Sequence, residues 1–500
     1  MHCGSFCITC AGPGLPAKEG ETKMRQRQKP FWIPTIVGLG FFSVVFLVVF
    51  QARQGYGIPA FARKYQTSCS TCHSDPPELN DFGWAFKKNG FKFPKDDADF
   101  VKQPQLKLGA PAYKKIFPKA IYPGEIPGSI PIAFRYEGYL NYANRQPQAL
   151  GFQPRVDLFA PDTFTIIAAG SMGDNLSFWI DDDVAVGGSG ADGGLGDGYL
   201  KYNDLGHHLG LPKDALNVRV GQFELDLPFT QARTINLSDY DVYDEESIAG
   251  SLGTTDNPFT LGEVQRGIEF GGYPNDGNFN WSVALTDGSN DNVPSSNGKN
   301  VYINVFQQFN LDKDHSQRRE VQAAGPTGPH DHTSIRVGAF YDYGRNSLNT
   351  DGTLFPGFAA IDEPYYRVGS YFRFKYQSRF ELYGMGMYSH DDNLIPNDTT
   401  MSVDRGPAIN YSGGFVEAEY WAYPWLIPIM RYDVVNAPFD YYNGVSKGFT
   451  RNRFSPGVQM LIRPNVKFAF EYTHLWAEPI PGETTFFNPN GFQGGIDFAF

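Results

Sequence analysis

Cysteine is scarce in this chain of 500 residues: there are five, and three of them, Cys3, Cys7 and Cys10, fall within the first ten positions. Beyond them only Cys69 and Cys72 remain, which excludes a disulfide-stapled fold and a four-thiolate zinc site. Charged residues are also few, at 19%, and their balance is acidic, with a formal net charge of −12. That balance argues against a nucleic-acid partner. After residue 50 there is no apolar run long enough for a membrane-crossing helix. What is abundant is aromatic and small: 42 Phe, 28 Tyr and 55 Gly, with a mean hydropathy of −0.36. Many aromatics without long apolar runs fit an outer-membrane β-barrel better than a helical membrane protein, because barrel strands alternate lipid-facing and lumen-facing residues.

Residues 1–57 read as an upstream stretch followed by a signal or anchor segment. Cys7-Ile8-Thr9-Cys10 is followed by Ala11 and so lacks the histidine of a haem motif. Met24 is the better start: Arg25, Arg27 and Lys29 precede an apolar run from Phe31 to Phe50, the order of a secretory signal.

Cys69-Ser70-Thr71-Cys72-His73 names a cofactor. Two cysteines separated by two residues match the two vinyl groups of a haem, and the adjacent histidine is placed to ligate its iron. The bland alternatives are a redox CxxC pair and half a zinc site. No other CxxC or histidine cluster lies nearby to complete the latter. The reading is one covalently attached haem c, with Cys69 and Cys72 as thioether anchors and His73 as proximal ligand. Asp75 and the prolines after it open a short helix that Asn89-Gly90 stops, placing Leu79, Phe82 and Phe86 on one face to cover the haem. Residues 58–128 thus form a small, mostly helical monohaem segment. From Arg63 to Glu125 it carries 11 Lys/Arg against 7 Asp/Glu, so it is basic where the rest is acidic.

Residues 129–500 alternate with period two. Val466, Phe468, Phe470 and Tyr472 interleave with Lys467, Ala469, Glu471 and Thr473, and Ile335 to Tyr343 repeat the pattern. One face suits lipid and the other a wet lumen. The expectation is an all-β fold, a transmembrane antiparallel barrel of sixteen strands, ending on an aromatic strand that closes at Phe500. The joins alternate long and short back from Phe500, which puts both ends of the barrel in the periplasm and the long loops outside. A long expected loop separates the first two strands over 143–162, and 310–333 is long where a short turn is expected. A soluble sandwich or propeller is the competing architecture, and it does not predict the loop alternation.

The run Pro59-Ala60-Phe61-Ala62-Arg63, the haem motif, and Leu79-Asn80, Phe82-Gly83, Phe86-Lys87 and Asn89-Gly90-Phe91 together resemble the N-terminus of fused monohaem cytochrome–porins. This is the outer-membrane iron-oxidase family, and the match near the haem covers about 35 residues, beyond which only architecture is shared. The resemblance implies one haem in or near the barrel, accepting electrons from extracellular Fe(II) and passing them to a periplasmic cytochrome or other carrier, an Fe(II):cytochrome c oxidoreductase activity. Only Cys69, Cys72 and His73 carry over.

Between Arg63 and Glu125 there is no Met and no histidine except His73, so a Met or His distal ligand would have to come from the barrel. Met385 and Met387, on one face of an expected strand, are the first candidates, beside His207, His208, His390 and His474 in loops or near strand ends. Lys, Asn, water or an open position are the alternatives. Acidic groups at Asp181-Asp182-Asp183, Asp239 and Asp241 with Asp244-Glu245-Glu246, and Asp391-Asp392 suit a cation such as Fe(II), or simply hydrate loops. Three other functions stand beside the iron-oxidising conduit: exchange with another extracellular redox partner, a diffusion porin with a haem-containing gate, and a haem enzyme.

Overall fold

The computed structural model describes residues 60–500 apart from stretches in the connections, the longest being 244–260, 312–332, 349–360 and 478–489. The expected signal segment lies outside the described residues, as do most of 310–333 and the acidic run Asp244-Glu245-Glu246. Residues 56–500 make one compact unit.

Sixteen antiparallel strands close into a barrel. They are β1 Ile132–Gln148, β2 Gly151–Met172, β3 Leu176–Ala185, β4 Gly194–Tyr202, β5 Asn217–Glu224, β6 Val264–Gly272, β7 Phe279–Ser289 and β8 Asn300–Asn310. The second half comprises β9 Ser334–Leu348, β10 Ile361–Tyr376, β11 Phe380–Asp391, β12 Ile409–Tyr420, β13 Leu426–Asn436, β14 Arg451–Arg463, β15 Val466–Ala477 and β16 Gly491–Ala499. Closure comes from β16 on β1, where Phe492 opposes Tyr142 and Asp497 opposes Glu137. Every one of these strands overlaps a segment expected from the alternation.

The alternation also sets the faces. Along β13, Ile427, Ile429, Arg431 and Asp433 are buried while Met430, Tyr432 and Val434 are exposed. Along β8, Asn300, Tyr302 and Asn304 turn inward and Ile303 and Val305 outward. Polar residues inside an apolar outer wall invert the arrangement of a soluble barrel, and they place this chain in a bacterial outer membrane in contact with lipid.

Two expectations are corrected. The loop at 143–162 does not exist: β1 and β2 run on and pair as far as Gln148 opposite Gly151. Strand pattern continues through Val156 and Leu158, and register shifts near Tyr139 and Ala143 absorb the irregularity. Nor is the lumen simply wet. The connection after β5 folds inward, so that Leu225, Leu227, Phe229, Tyr240 and Val242 form a buried cluster with Tyr302, Phe340, Tyr383 and Phe415 of the wall. Phe229 stacks on Tyr383 at 4.7 Å between ring centroids, and Tyr240 on Phe415 at 3.8 Å.

The N-terminal segment lies inside the ring. Its helices are α1 Ala60–Tyr65, α2 Asp81–Lys88 and α3 Asp97–Phe100. Lys64 Nζ donates to Ser171 Oγ of β2 at 3.3 Å, and Lys88 Nζ pairs with Asp226 at 3.0 Å. Gln308 of β8 donates to Asp81 at 3.2 Å, Arg373 of β10 holds Glu78, and Lys467 of β15 donates to the Pro76 carbonyl at 2.9 Å. Only a segment within a closed barrel can reach strands on so many sides. The contacted positions lie toward the barrel end where β1 begins and β16 finishes.

Candidate haem site

The haem motif is held in shape by one side chain. Cys69–Thr71 form a single 3-10 turn. Asn80, almost wholly buried, donates its backbone N–H to the Cys72 carbonyl at 3.0 Å and its Nδ2 to the Thr71 carbonyl at 3.2 Å. Its Oδ1 accepts from the Gly83 N–H at 2.8 Å and so caps α2. One asparagine therefore ties the cysteine turn to the helix behind it. Gly83 allows the approach, because a Cβ there would sit 2.0 Å from the Cys72 carbonyl oxygen.

His73 Nδ1 lies 3.1 Å from the Pro77 carbonyl oxygen. A carbonyl can only accept, so Nδ1 carries the proton and Nε2 keeps a lone pair for a metal, the usual second-shell arrangement of a ligating histidine. Burial lowers the His73 pKa and favours the neutral ring a ligand must be. Burial also pushes the Cys72 thiol up to about 12 and raises Cys69.

Cys69, Cys72 and His73 all line one cavity of about 550 Å³, within the range of small-molecule and cofactor sites. Near the motif its walls are apolar, with Phe61, Leu79 and Phe86 from the segment and Ala133, Phe134 and Ile167 from the barrel. Arg135 and Lys467 line it too, cations of the kind that receive haem propionates. The residues present therefore fit a covalently held haem with His73 beneath it. Behind them stands an aromatic shell: Phe61 stacks on Phe91 at 4.8 Å, Tyr65 on Phe93 at 4.1 Å, and Phe82 meets Phe93 edge-on. Of the three residues expected to cover the haem, Leu79 and Phe86 line the cavity and Phe82 packs in the shell.

Met385 and Met387 are not brought to the site. Both lie in the luminal cluster, where the Tyr243 hydroxyl donates to Met385 Sδ at 3.4 Å. Among the described residues, the cavity is lined by no methionine and by no histidine but His73. The candidate methionines were chosen for inward-facing parity on one strand, and parity says nothing of height or azimuth in the barrel.

The acidic groups divide. Asp181 and Asp183 line the same cavity as the CxxCH motif, joined there by Asp197 and Glu224, which no sequence pattern groups with them. These four sit on β3, β4 and the end of β5, and Asp183 shares a register row with Arg135, each opposing Thr165 of β2. Others are spent on arginines inside the lumen: Asp241 lies 3.0 Å from Arg451, and Asp391 3.0 Å from Arg367. Asp392 pairs with Arg405 at 2.8 Å.

The fold and site together define the class, a closed, porin-like outer-membrane barrel whose lumen contains a segment bearing a CxxCH motif. No family model matches the chain, and no curated protein matches it. Solved structures similar to it include an anion-selective porin from Comamonas acidovorans, at 11% identity and a TM-score of 0.48, covering 74% of this chain and 98% of that one. The outer-membrane channel DcaP of Acinetobacter baumannii is similar at 12% identity and 0.44, covering 74% and 96%. OmpF of Salmonella typhi, in complex with daunomycin, gives 13% and 0.44, covering 74% and 98%.

Proposed function

We propose that this protein carries single electrons across the outer membrane through one haem c attached at Cys69 and Cys72 and ligated by His73, taking them from extracellular Fe(II) and delivering them to a periplasmic carrier. The observation that carries the reading is the single cavity that joins the three attachment residues to the carboxylates Asp181, Asp183, Asp197 and Glu224.

A bound haem supplies a one-electron couple: each Fe(II) lost as Fe(III) gives one electron, and one electron leaves to the carrier. The chain's own groups do the rest. Carboxylates favour approach of a hard or borderline cation over an anion. The apolar walls around Cys72 and His73 exclude bulk water, and the Pro77 carbonyl fixes the ring of His73. One haem cannot alone span an apolar band about 25 Å tall, so a cavity that admits the donor part of the way is what such a protein needs. The packed cluster around Phe229 and Tyr240 disfavours a diffusion porin.

A haem enzyme is the second reading, favoured by the lack of a second histidine or a methionine among the described cavity residues. Stopped-flow mixing of purified holoprotein with Fe(II), followed by haem absorbance, tests the first. Rapid stoichiometric reduction is expected, slowed by Asp181→Asn with Asp183→Asn. A haem that stays oxidised under Fe(II) overturns it.

A further inference from the structure

Three carboxylates from separate elements converge toward the barrel end that carries the chain termini. Glu78 comes from the luminal segment, Glu381 from β11 and Glu419 from β12, and their oxygens come within 4.8 Å of one another. All are buried, with exposures of 1%, 3% and 0%. Arg373 pairs with Glu78 Oε1 and with Glu381 Oε1, and Lys375 Nζ lies 3.4 Å from Glu381 Oε2. The Tyr383 hydroxyl donates to Glu419 Oε1 at 2.9 Å. Glu78 Oε2 and Glu419 Oε2 are fully buried and accept no hydrogen bond.

The charges do not balance. With Asp81 of the segment, which shares Lys375 and Arg336, four carboxylates face three cations, Arg336, Arg373 and Lys375. A buried anion short of counter-charge requires a proton or a cation to complete it.

We propose that Glu78, Glu381 and Glu419 bind one hard divalent cation, Ca²⁺ by preference, which clamps the luminal segment to the barrel wall. An all-oxygen donor set selects Ca²⁺, Mg²⁺ or Mn²⁺ over softer metals. Mg²⁺ keeps several waters and is usually held by one or two carboxylates in a regular octahedron, whereas Ca²⁺ takes six to eight oxygens in flexible geometry, so three buried carboxylates from separate elements favour Ca²⁺. The ion would tie residue 78 to residues 381 and 419 and supply the missing positive charge where the two free oxygens lie.

The test uses the full-length holoprotein in detergent. Metal analysis of untreated protein should find one tightly held Ca²⁺ per chain. After EDTA and removal of chelator, calorimetric titration with Ca²⁺ should restore one site, with Mg²⁺ weaker by about tenfold or more. Ca²⁺ should also raise the thermal midpoint and protect residues 60–101 from protease. Glu419→Gln or Glu381→Gln should weaken Ca²⁺ binding by at least about tenfold. The wild-type titration decides the matter even if neither variant assembles. A wild type with no bound divalent ion and no response to Ca²⁺, the result a shared proton would give, overturns the proposal, as does unchanged Ca²⁺ affinity in both variants.

Discussion

Asn80 and Gly83 matter as much to the haem motif as the residues that touch a haem, because they hold its backbone. Asn80→Ala removes the Nδ2 bond to the Thr71 carbonyl and the cap on Gly83, and the expected cost is about 1–3 kcal/mol, since buried partners are left unmet. Its readout is a lower ratio of attached haem to folded barrel. Gly83→Ala places a methyl against the Cys72 carbonyl and should lower that ratio further, with heat-modifiable barrel mobility on gels unchanged. His73→Ala should abolish the normal c-type spectrum while the barrel still assembles, and a normal spectrum would remove His73 as ligand. These effects separate attachment from folding, because the sixteen strands do not depend on the motif for their own hydrogen bonds.

Among elements, the pairing of segment to wall is the sensitive point. Arg373 of β10 satisfies Glu78 of the segment and Glu381 of β11, so Arg373→Ala strands buried Glu78 and leaves Glu381 with Lys375 alone. The cost expected from breaking a buried pair is about 3–5 kcal/mol, seen as a lower thermal midpoint and as protease access to residues 60–101. Strand connections give a second test. Tags within 349–360 or 478–489 should be labelled on intact cells and tags at 377–379 or 464–465 should not. Reversed labelling would overturn this topology and with it the periplasmic placement of the barrel end that holds the luminal segment.

For the molecule as a whole, two fillings occupy the lumen: the N-terminal segment and the inward fold after β5. A barrel so packed should conduct poorly in planar bilayers, well below an open porin of the same strand number. Truncating the inner fold by Phe229→Ala with Tyr240→Ala should raise conductance while costing about 3–5 kcal/mol per aromatic removed. High conductance in the wild type would return the diffusion-porin reading to first place.

The strands and their faces were legible in the sequence because they rest on local periodicity, and the CxxCH motif could be read from its spacing. Val466 to Thr473 announce lipid and lumen sides two residues at a time, and Cys69, Cys72 and His73 need only their own separation. The tertiary structure alone decided what meets across the lumen. Period two tells which way Met385 points but not that Phe415 and Tyr243, rather than the cysteine turn, stand opposite it. Nor does any local pattern link Asp181 to Asp197 and Glu224, or Glu78 to Glu381 and Glu419. The first grouping comes from the register of neighbouring strands, in contacts 16 and 27 positions apart, and the second from the depth at which the segment is held, with Arg373 and Glu78 meeting 295 positions apart.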